Sequence, residues 1–514
     1  MKTCGARVLV AQACVALSIA ALIAGCGNNY RPVVTPVPSS GPAAQPQAYA
    51  VVVSTTGTST DGVVTMIDYS GDSILVEATI GPGPTAFTLD EIGQDGYTVD
   101  SDGTLSNFSI STSLQTKNVS FSTLPPTAKV VNLMPPNSGL WATDLNGDVV
   151  DQFTGSPQSY QRSIPVEVPV TPGSMTTATM PMYIAGSPSV TGAREYVLEQ
   201  NNPDTPAGEM QCNTSPTTAP TGVAVPIEIA SNTTDPAIPL GKCPVYAVES
   251  ADQQRLFVMN RGDSTITVIN TNLNTLDNFT PFQNQNGQWI TPHPSIQLPV
   301  GSGPIYAEYV PATQQVVVAN YDGGTISVID VPLDEYGNDE NTYANPNCNT
   351  GTYASCLPIT GGFGTVTTIA VGNTTTPDPA SVTVLYDGSK AYTANQNEGT
   401  VTVVNLTDYT VEKTLGVEGH PRTVVNTQNS EYAKIYVASP DSPLLTIIES
   451  SPTVTDEVDT TVLVEGLPVD VRTTNQNGVS GNNNFSSRVP GYGQPCNLPG
   501  SASLASLAAC QAIP

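Results

Sequence analysis

An all-β propeller of seven or eight four-stranded blades is what this sequence predicts, and three observations predict it. One pattern recurs along the chain: a short apolar strand, a polar turn, then a strictly alternating strand. Its clearest copies are Leu256–Asn270, Val316–Asp330 and Ala391–Asn405. The copies also keep a period close to that of a propeller blade. Strands centred on Val52, Tyr97 and Trp141 stand 45 and 44 residues apart, and Tyr392 and Tyr436 are again 44 apart. Finally, Pro468–Arg472 is an inner strand with no unit after it, and the first unit has none before it. The two chain ends can therefore complete one blade, closing the ring and removing exposed sheet edges.

The chain opens on Lys2 and Arg7, an apolar run from Val8 to Ala24, and Ile23-Ala24-Gly25-Cys26. A charged start, a short apolar core and small residues before a cut site describe a secretory signal over 1–25, not a membrane span. A Cys directly after the small pair resembles the bacterial lipobox. That resemblance implies that Cys26 becomes the lipid-bearing N-terminus and ties the protein to a membrane. Gly27 and Asn28 follow rather than Asp, which favours the outer membrane. Residues 26–46 are then a lipidated Cys and a Pro-rich, extended tether.

The propeller is expected over 47–476. Apolar strands are centred near Val52, Tyr97, Trp141, Tyr183, Phe257, Val317, Tyr392 and Tyr436, which makes eight units. Longer intervals reflect Pro/Asn/Thr/Gly-rich insertions near 200–240, 275–296 and 332–364. Within a unit, an apolar strand such as Lys434–Ala438 leads into a polar turn such as Asn320–Gly324. An alternating strand such as Thr400–Val404 follows, one face of it buried, and then a third strand such as Thr410–Leu415. A Gly-x-x-Pro-like corner opens the next inner strand, as at Gly81–Pro84, Gly301–Pro304, Gly416–Pro421 and Gly466–Pro468. Residues 477–514 are a Gly/Asn-rich tail ending in a small appendage.

Composition narrows the functions. The chain carries 44 acidic and 16 basic residues, a net charge of −28, and loss of 1–25 takes only the cations Lys2 and Arg7. Such a chain does not bind nucleic acid electrostatically. Six cysteines remain after the signal and Cys26: Cys212, Cys243, Cys348, Cys356, Cys496 and Cys510. Their even number and three local pairs suit disulfides in an oxidising compartment, 212–243, 348–356 and 496–510 among the 15 connectivities open to six. No Cys-x-x-Cys spacing offers a zinc or redox site, and no cofactor motif is present.

The repeats at 253–475 resemble the YVTN β-propeller family, YncE-like proteins among them. Its unit reads Tyr-Val-Thr-Asn, a polar turn, Thr-Val-Ser-Val-Ile-Asp, and a Gly-x-x-Pro corner. Ala391–Asn405 and Val316–Asp330 match it almost position by position, while Gly103–Ile110 is a worn copy. The resemblance implies a secreted or envelope-attached propeller. It also suggests a candidate catalytic set: lactonases on related propellers rely on His, Arg and Glu, and Glu418, His420 and Arg422 fall within five residues here.

Other candidates have simpler readings beside them. Asp100 and Asp102, and Asp144 and Asp148 with Asn146, alternate oxygen ligands of the kind calcium takes, but Asp and Asn are also ordinary turn residues. Arg261-Gly262-Asp263 spells an adhesion tripeptide within an ordinary hairpin turn. Trp141 occupies a core strand position, whereas Trp289, in an insertion, is free to stack on a sugar. His293, between two prolines, is expected to be exposed. No nucleophile elbow, phosphate loop or dinucleotide fingerprint appears. The reading that follows is a non-catalytic envelope lipoprotein whose propeller is a binding scaffold, with the insertions as partner surface and an envelope protein or glycan as partner. A lactonase-like hydrolase at a ring mouth and a carbohydrate or peptidoglycan binder are the alternatives.

Overall fold

The computed structural model describes residues 49–474, apart from 58, 91–92, 111–118, 136–138, 187–193, 202–216, 251–253, 279–281, 284–288, 291, 333–361, 429–432 and 452–454. The signal, Cys26, the tether, the tail and five of the six paired-cysteine candidates lie outside these residues. Eight sheets follow one another round a closed ring, each built on four antiparallel strands.

Blade 1 joins the chain ends. Its innermost strand is Leu467–Thr473, and Tyr49–Thr55, Asp61–Asp68 and Ile74–Pro82 follow outward. The innermost strands of blades 2 to 8 are Pro84–Leu89, Val130–Met134, Pro181–Gly186, Pro244–Glu249, Pro304–Val310, Pro379–Val384 and Thr423–Asn426. Each touches the next round the ring. In blades 4 and 5 the outermost strand is split, into Thr233–Thr234 and Ile238–Lys242, and into Thr275–Leu276 and Ser295–Gln297.

Burial follows from this layering. Middle strands have a neighbouring blade on both faces, so Arg255–Asn260, Gln315–Asn320 and Lys390–Asn395 are buried at every position. Outermost strands such as Ser159–Pro165 face water and read polar. The core is a series of apolar layers between blades. Ala50, Val52, Val425, Tyr436, Leu445 and Ile447 fill the layer between blades 8 and 1. Each fully buried Val, Ile or Leu contributes about 1.5–3 kcal/mol, so the seam is held like any other interface. Lys434 Nζ adds hydrogen bonds to Asp72 Oδ2 (2.5 Å) and Tyr69 O (2.9 Å) across it.

The repeat pattern now has a physical account. Nδ2 of Asn260 donates to the hydroxyls of Thr265 and Thr267. Asn320 does the same to Thr325 and Ser327, and Asn395 to Thr400 and Thr402. The recurrent Asn therefore ties the second strand to the third. The corner Pro of the innermost strand pairs opposite that Asn, as in Pro244 with Asn260, Pro304 with Asn320 and Pro379 with Asn395. Gly303, just before Pro304, has φ +58, and a Cβ there would lie 1.9 Å from Asp322 Oδ2. That carboxylate is pinned by Arg261, so no larger residue fits the corner.

Three expectations are corrected. Tyr183 lies in the innermost strand of blade 4, and the strand equivalent to the other seven centres is Arg194–Glu199. The segment expected as an insertion at 200–240 supplies blade 4 with its third strand, Thr221–Glu228, and the split fourth. His293 is half-buried, with its ring stacked on Phe363 at 4.4 Å. Trp141 is 1% exposed, as its core position predicts.

Candidate functional site

The innermost strands build the site by a shared irregularity. In blades 2 to 7 the ladder shifts register between the corner residue and the residue two later, a β-bulge at each strand start. Blade 1 carries the same shift between Pro468 and Asp470. Bulges re-aim side chains and cluster near functional sites. The residues two after the corner are Ala86, Asn132, Tyr183, Tyr246, Tyr306, Ser381 and Asp470, and Thr423 is their counterpart in blade 8. All eight line one cavity of about 280 Å³ at this end of the channel, with Gln396, Arg422 and Arg472.

The wall of this cavity has two unlike halves. Blades 4, 5 and 6 supply tyrosines. The Tyr183 and Tyr246 rings lie 4.9 Å apart and those of Tyr246 and Tyr306 4.6 Å apart. Burial raises all three phenol pKa values, and neighbouring phenols in the row act on one another, while among the described residues the buried Tyr183 hydroxyl has no hydrogen-bond partner. The charge of Arg472 opposes that rise at each, so the guanidinium stands within electrostatic reach of the whole row. The other half is polar. Arg472 Nη2 donates to Asp470 Oδ2 at 2.5 Å, and the Arg472 side chain is 5% exposed. Burial works against the Arg472 charge, and Asp470 with the tyrosines more than offsets it. Ser381 Oγ donates to Arg422 O and accepts from Val424 N, linking blades 7 and 8. Arg422 itself is exposed at the rim.

A second titratable group sits further along the same strands. Glu308 is two residues past Tyr306, and Gln428 Nε2 donates to its Oε1 at 3.3 Å. Burial pushes its carboxyl up to about 8, with Thr383 and the Val384 backbone acting the other way.

Solved structures match this chain through its fold. No protein-family model and no curated protein matches the sequence. The dihydro-heme d1 dehydrogenase NirN, in complex with DHE, is 12% identical with a TM-score of 0.52, over 85% of this chain and 78% of that one. AztD from Citrobacter koseri is 13% identical with a TM-score of 0.50, over 85% and 98%. The periplasmic gluconolactonase PpgL of Pseudomonas aeruginosa is 14% identical with a TM-score of 0.45, over 83% and 99%. This chain is an eight-bladed β-propeller. At these identities the likeness is one of fold, and the YVTN resemblance stays at the level of the repeat's own residues.

The residues singled out in the sequence fall in different places. Of Glu418, His420 and Arg422, Arg422 alone lines the cavity. The His420 ring is 60% exposed, and its Nδ1 lies 2.5 Å from Asp441 Oδ2. Glu418 is engaged through its backbone, with Thr446 and Ser439. Asp100 accepts from Thr98, Thr104 and Ser106, taking the Asn position of blade 2. Asp102 accepts from Thr104, Asp144 from the Lys129 and Asn146 backbones, and Asp148 from the Met180 backbone. These four carboxylates serve turns and corners. Among the described residues no group of three or more His, Cys, Asp or Glu is placed to hold a metal.

Arg261 of the adhesion-like tripeptide is 5% exposed and grips Asp322 of blade 6 by two hydrogen bonds, so it is not presented to a receptor. Trp289 and Ile290 pair with Phe282 and Gln283, and the Trp289 side chain is outside the described residues. Cys243 is fully buried at the blade 4–5 corner, and its expected partner Cys212 is outside them too. Tyr183, Tyr246, Tyr306, Asp470 and Arg472 were missed. Their signal is positional: alignment of each unit on its corner Pro brings the first four into one column.

Proposed function

We propose that this protein is an envelope-anchored lipoprotein whose propeller binds a ligand without transforming it, and that the ligand enters the cavity at the corner end of the channel. The observation that carries this is the convergence of eight equivalent positions, seven of them aimed by a bulge, on one cavity with an aromatic half and a polar, charged half. Ligand sites are concave, with a few placed polar groups among larger apolar ones. The one His–Asp pair noted above is exposed and outside the cavity lining, which favours binding over hydrolysis. Anchoring is supported by the Ile-Ala-Gly-Cys26 sequence and the Pro-rich stretch behind it, and the oxidising compartment by the even number and local spacing of the six remaining cysteines.

Two expected outcomes test the two halves. Cells fed an alkyne-tagged palmitate label the wild-type protein, and Cys26→Ser loses both the label and membrane pelleting. Label retained in Cys26→Ser overturns the anchor. For the cavity, Ala86 is half-buried in the tier and has no side-chain hydrogen bond to lose. Ala86→Trp fills the mouth, and envelope partners or ligands recovered by in-cell crosslinking with the wild type should drop at least tenfold. Equal recovery from both would move binding to the segments near 275–296 and 332–364.

A further inference from the structure

The charge of the cavity runs against the charge of the protein. The chain has 44 acidic and 16 basic residues, yet the cavity lining holds two arginines and one aspartate. Burying a guanidinium in a channel wall is costly unless it meets an acceptor. Arg472 meets one in Asp470, with the phenol row beside it, and Arg422 adds a second cation at the rim. Phenol hydroxyls and guanidinium groups share a preference for oxyanions, to which charge-assisted hydrogen bonds are shorter and stronger than neutral ones. The half-buried Tyr306 ring offers an apolar surface next to them.

Size limits the occupant. About 280 Å³ lies at the small end of ligand pockets. A small molecule matches that volume.

We propose that this cavity takes a small oxyanion-bearing ligand, with Arg472 at its floor and Arg422 at its rim as the cations and the Tyr183–Tyr246–Tyr306 row as the wall against its body. This rests on the reading of the channel mouth as a ligand site and assigns that site a charge. Asp470 supplies the control. Among the described residues it is the only acid in the lining, so removing its charge should help an anion and hurt a cation.

The experiment is isothermal titration of the full-length protein at low ionic strength with four probes: benzoate, inorganic phosphate, neutral benzamide and benzylamine. Benzoate or phosphate is expected to bind more tightly than benzamide, and benzylamine least. A pair of unit charges near a protein surface changes affinity by about fivefold. Asp470→Asn, nearly isosteric, should therefore tighten anion binding about fivefold. Arg422→Ala, at an exposed position, should weaken it about fivefold with an unchanged melting temperature. Benzoate against phosphate tells a carboxylate site with an aromatic body from a bare oxyanion site. Benzamide binding as well as benzoate would keep the cavity as a ligand site and overturn its anion preference. Benzylamine binding that is lost in Asp470→Asn would overturn it as well. No binding by any probe would count against both the anion assignment and the channel mouth itself.

Discussion

Replacing Asp456 with alanine is expected to lower stability by about 3–5 kcal/mol, because it strands a buried cation and a buried phenol together. Asp456 Oδ2 lies 2.5 Å from Lys390 Nζ, with both side chains under a tenth exposed. Its Oδ1 accepts from the Tyr392 hydroxyl at 2.6 Å, and its backbone carbonyl accepts from Lys413 Nζ. The cluster joins blade 7 to blade 8. Glu412 stands 3.4 Å from Lys390 and is a third exposed, so it softens the loss without replacing the contact. Burial lowers the Lys390 pKa and Asp456 more than restores it, leaving it above its ordinary 10.5. A folded-state pKa raised in this way contributes stability that is complete at neutral pH and is lost as pH rises through the folded value. The check is urea unfolding of Asp456→Ala, Lys390→Met and the pair Asp456→Leu/Lys390→Met. Removing both partners should recover most of the loss, because an apolar pair leaves no orphaned charge. Additive costs in the double variant would show that the cluster is not coupled.

Glu199→Gln is expected to stabilise the protein increasingly as pH rises. Glu199 is fully buried in blade 4, at the position where blades 5 to 7 carry the strand-tying Asn. Its partners on the third strand are changed too. Where blade 5 has Thr265 and Thr267, blade 4 has Val223 and Val225, so neither carboxylate oxygen finds a hydrogen-bond donor there. Burial raises the carboxyl pKa well above 4.5, and the charges of Asp148 and Glu167 push the same way. The sign follows from proton counting. Between the unfolded value near 4.5 and the raised folded value, the native state holds a proton that the unfolded chain has released. Stability is then full below the unfolded value and falls through this window by up to about 1.4 kcal/mol per pH unit. Glutamine has the shape of the protonated acid and does not titrate. Wild type and Glu199→Gln should agree near pH 4 and diverge steadily by pH 8 in urea midpoint. Parallel curves would mean that Glu199 ionises in the folded protein.

Much of the ring was legible because its grammar is local. The Asn-turn-Thr-x-Thr/Ser unit makes its Asn Nδ2 hydrogen bonds within one hairpin, so Asn260, Asn320 and Asn395 announce themselves in sequence. Gly303 and Pro304 mark a corner that tolerates little else. Blade 4 was misphased for the converse reason. With Glu199, Val223 and Val225 in place of Asn and two Thr, its hairpin lost the signature, and the apolar innermost strand around Tyr183 looked like a better match. The cavity was illegible for a different reason. Tyr183, Tyr246 and Tyr306 meet because three bulges in three blades turn them to one axis, and Arg472 reaches them only once the last strand has closed the first blade. Residues gathered by ring closure leave no spacing to read. The lactonase-like cluster shows the reverse: Glu418, His420 and Arg422 are close in sequence, but the turn at Gly419, with φ +68, sends His420 to Asp441 and leaves Arg422 at the cavity.

The pairing of Tyr49 with Thr474 has a topological consequence. Thr474 N donates to Tyr49 O at 2.8 Å, and Tyr49 N donates to Thr474 Oγ1 at 2.7 Å. The points where the backbone enters and leaves the ring are thus one residue pair. Around the channel the molecule is a cycle with a single nick, which falls between the first and second strands of one blade. A circularly permuted chain, joined by a short linker from Thr474 to Tyr49 and opened instead at another corner, would retain every strand pair and the whole column of cavity residues. The position of the nick decides where the flanking segments depart; it does not decide what the ring holds.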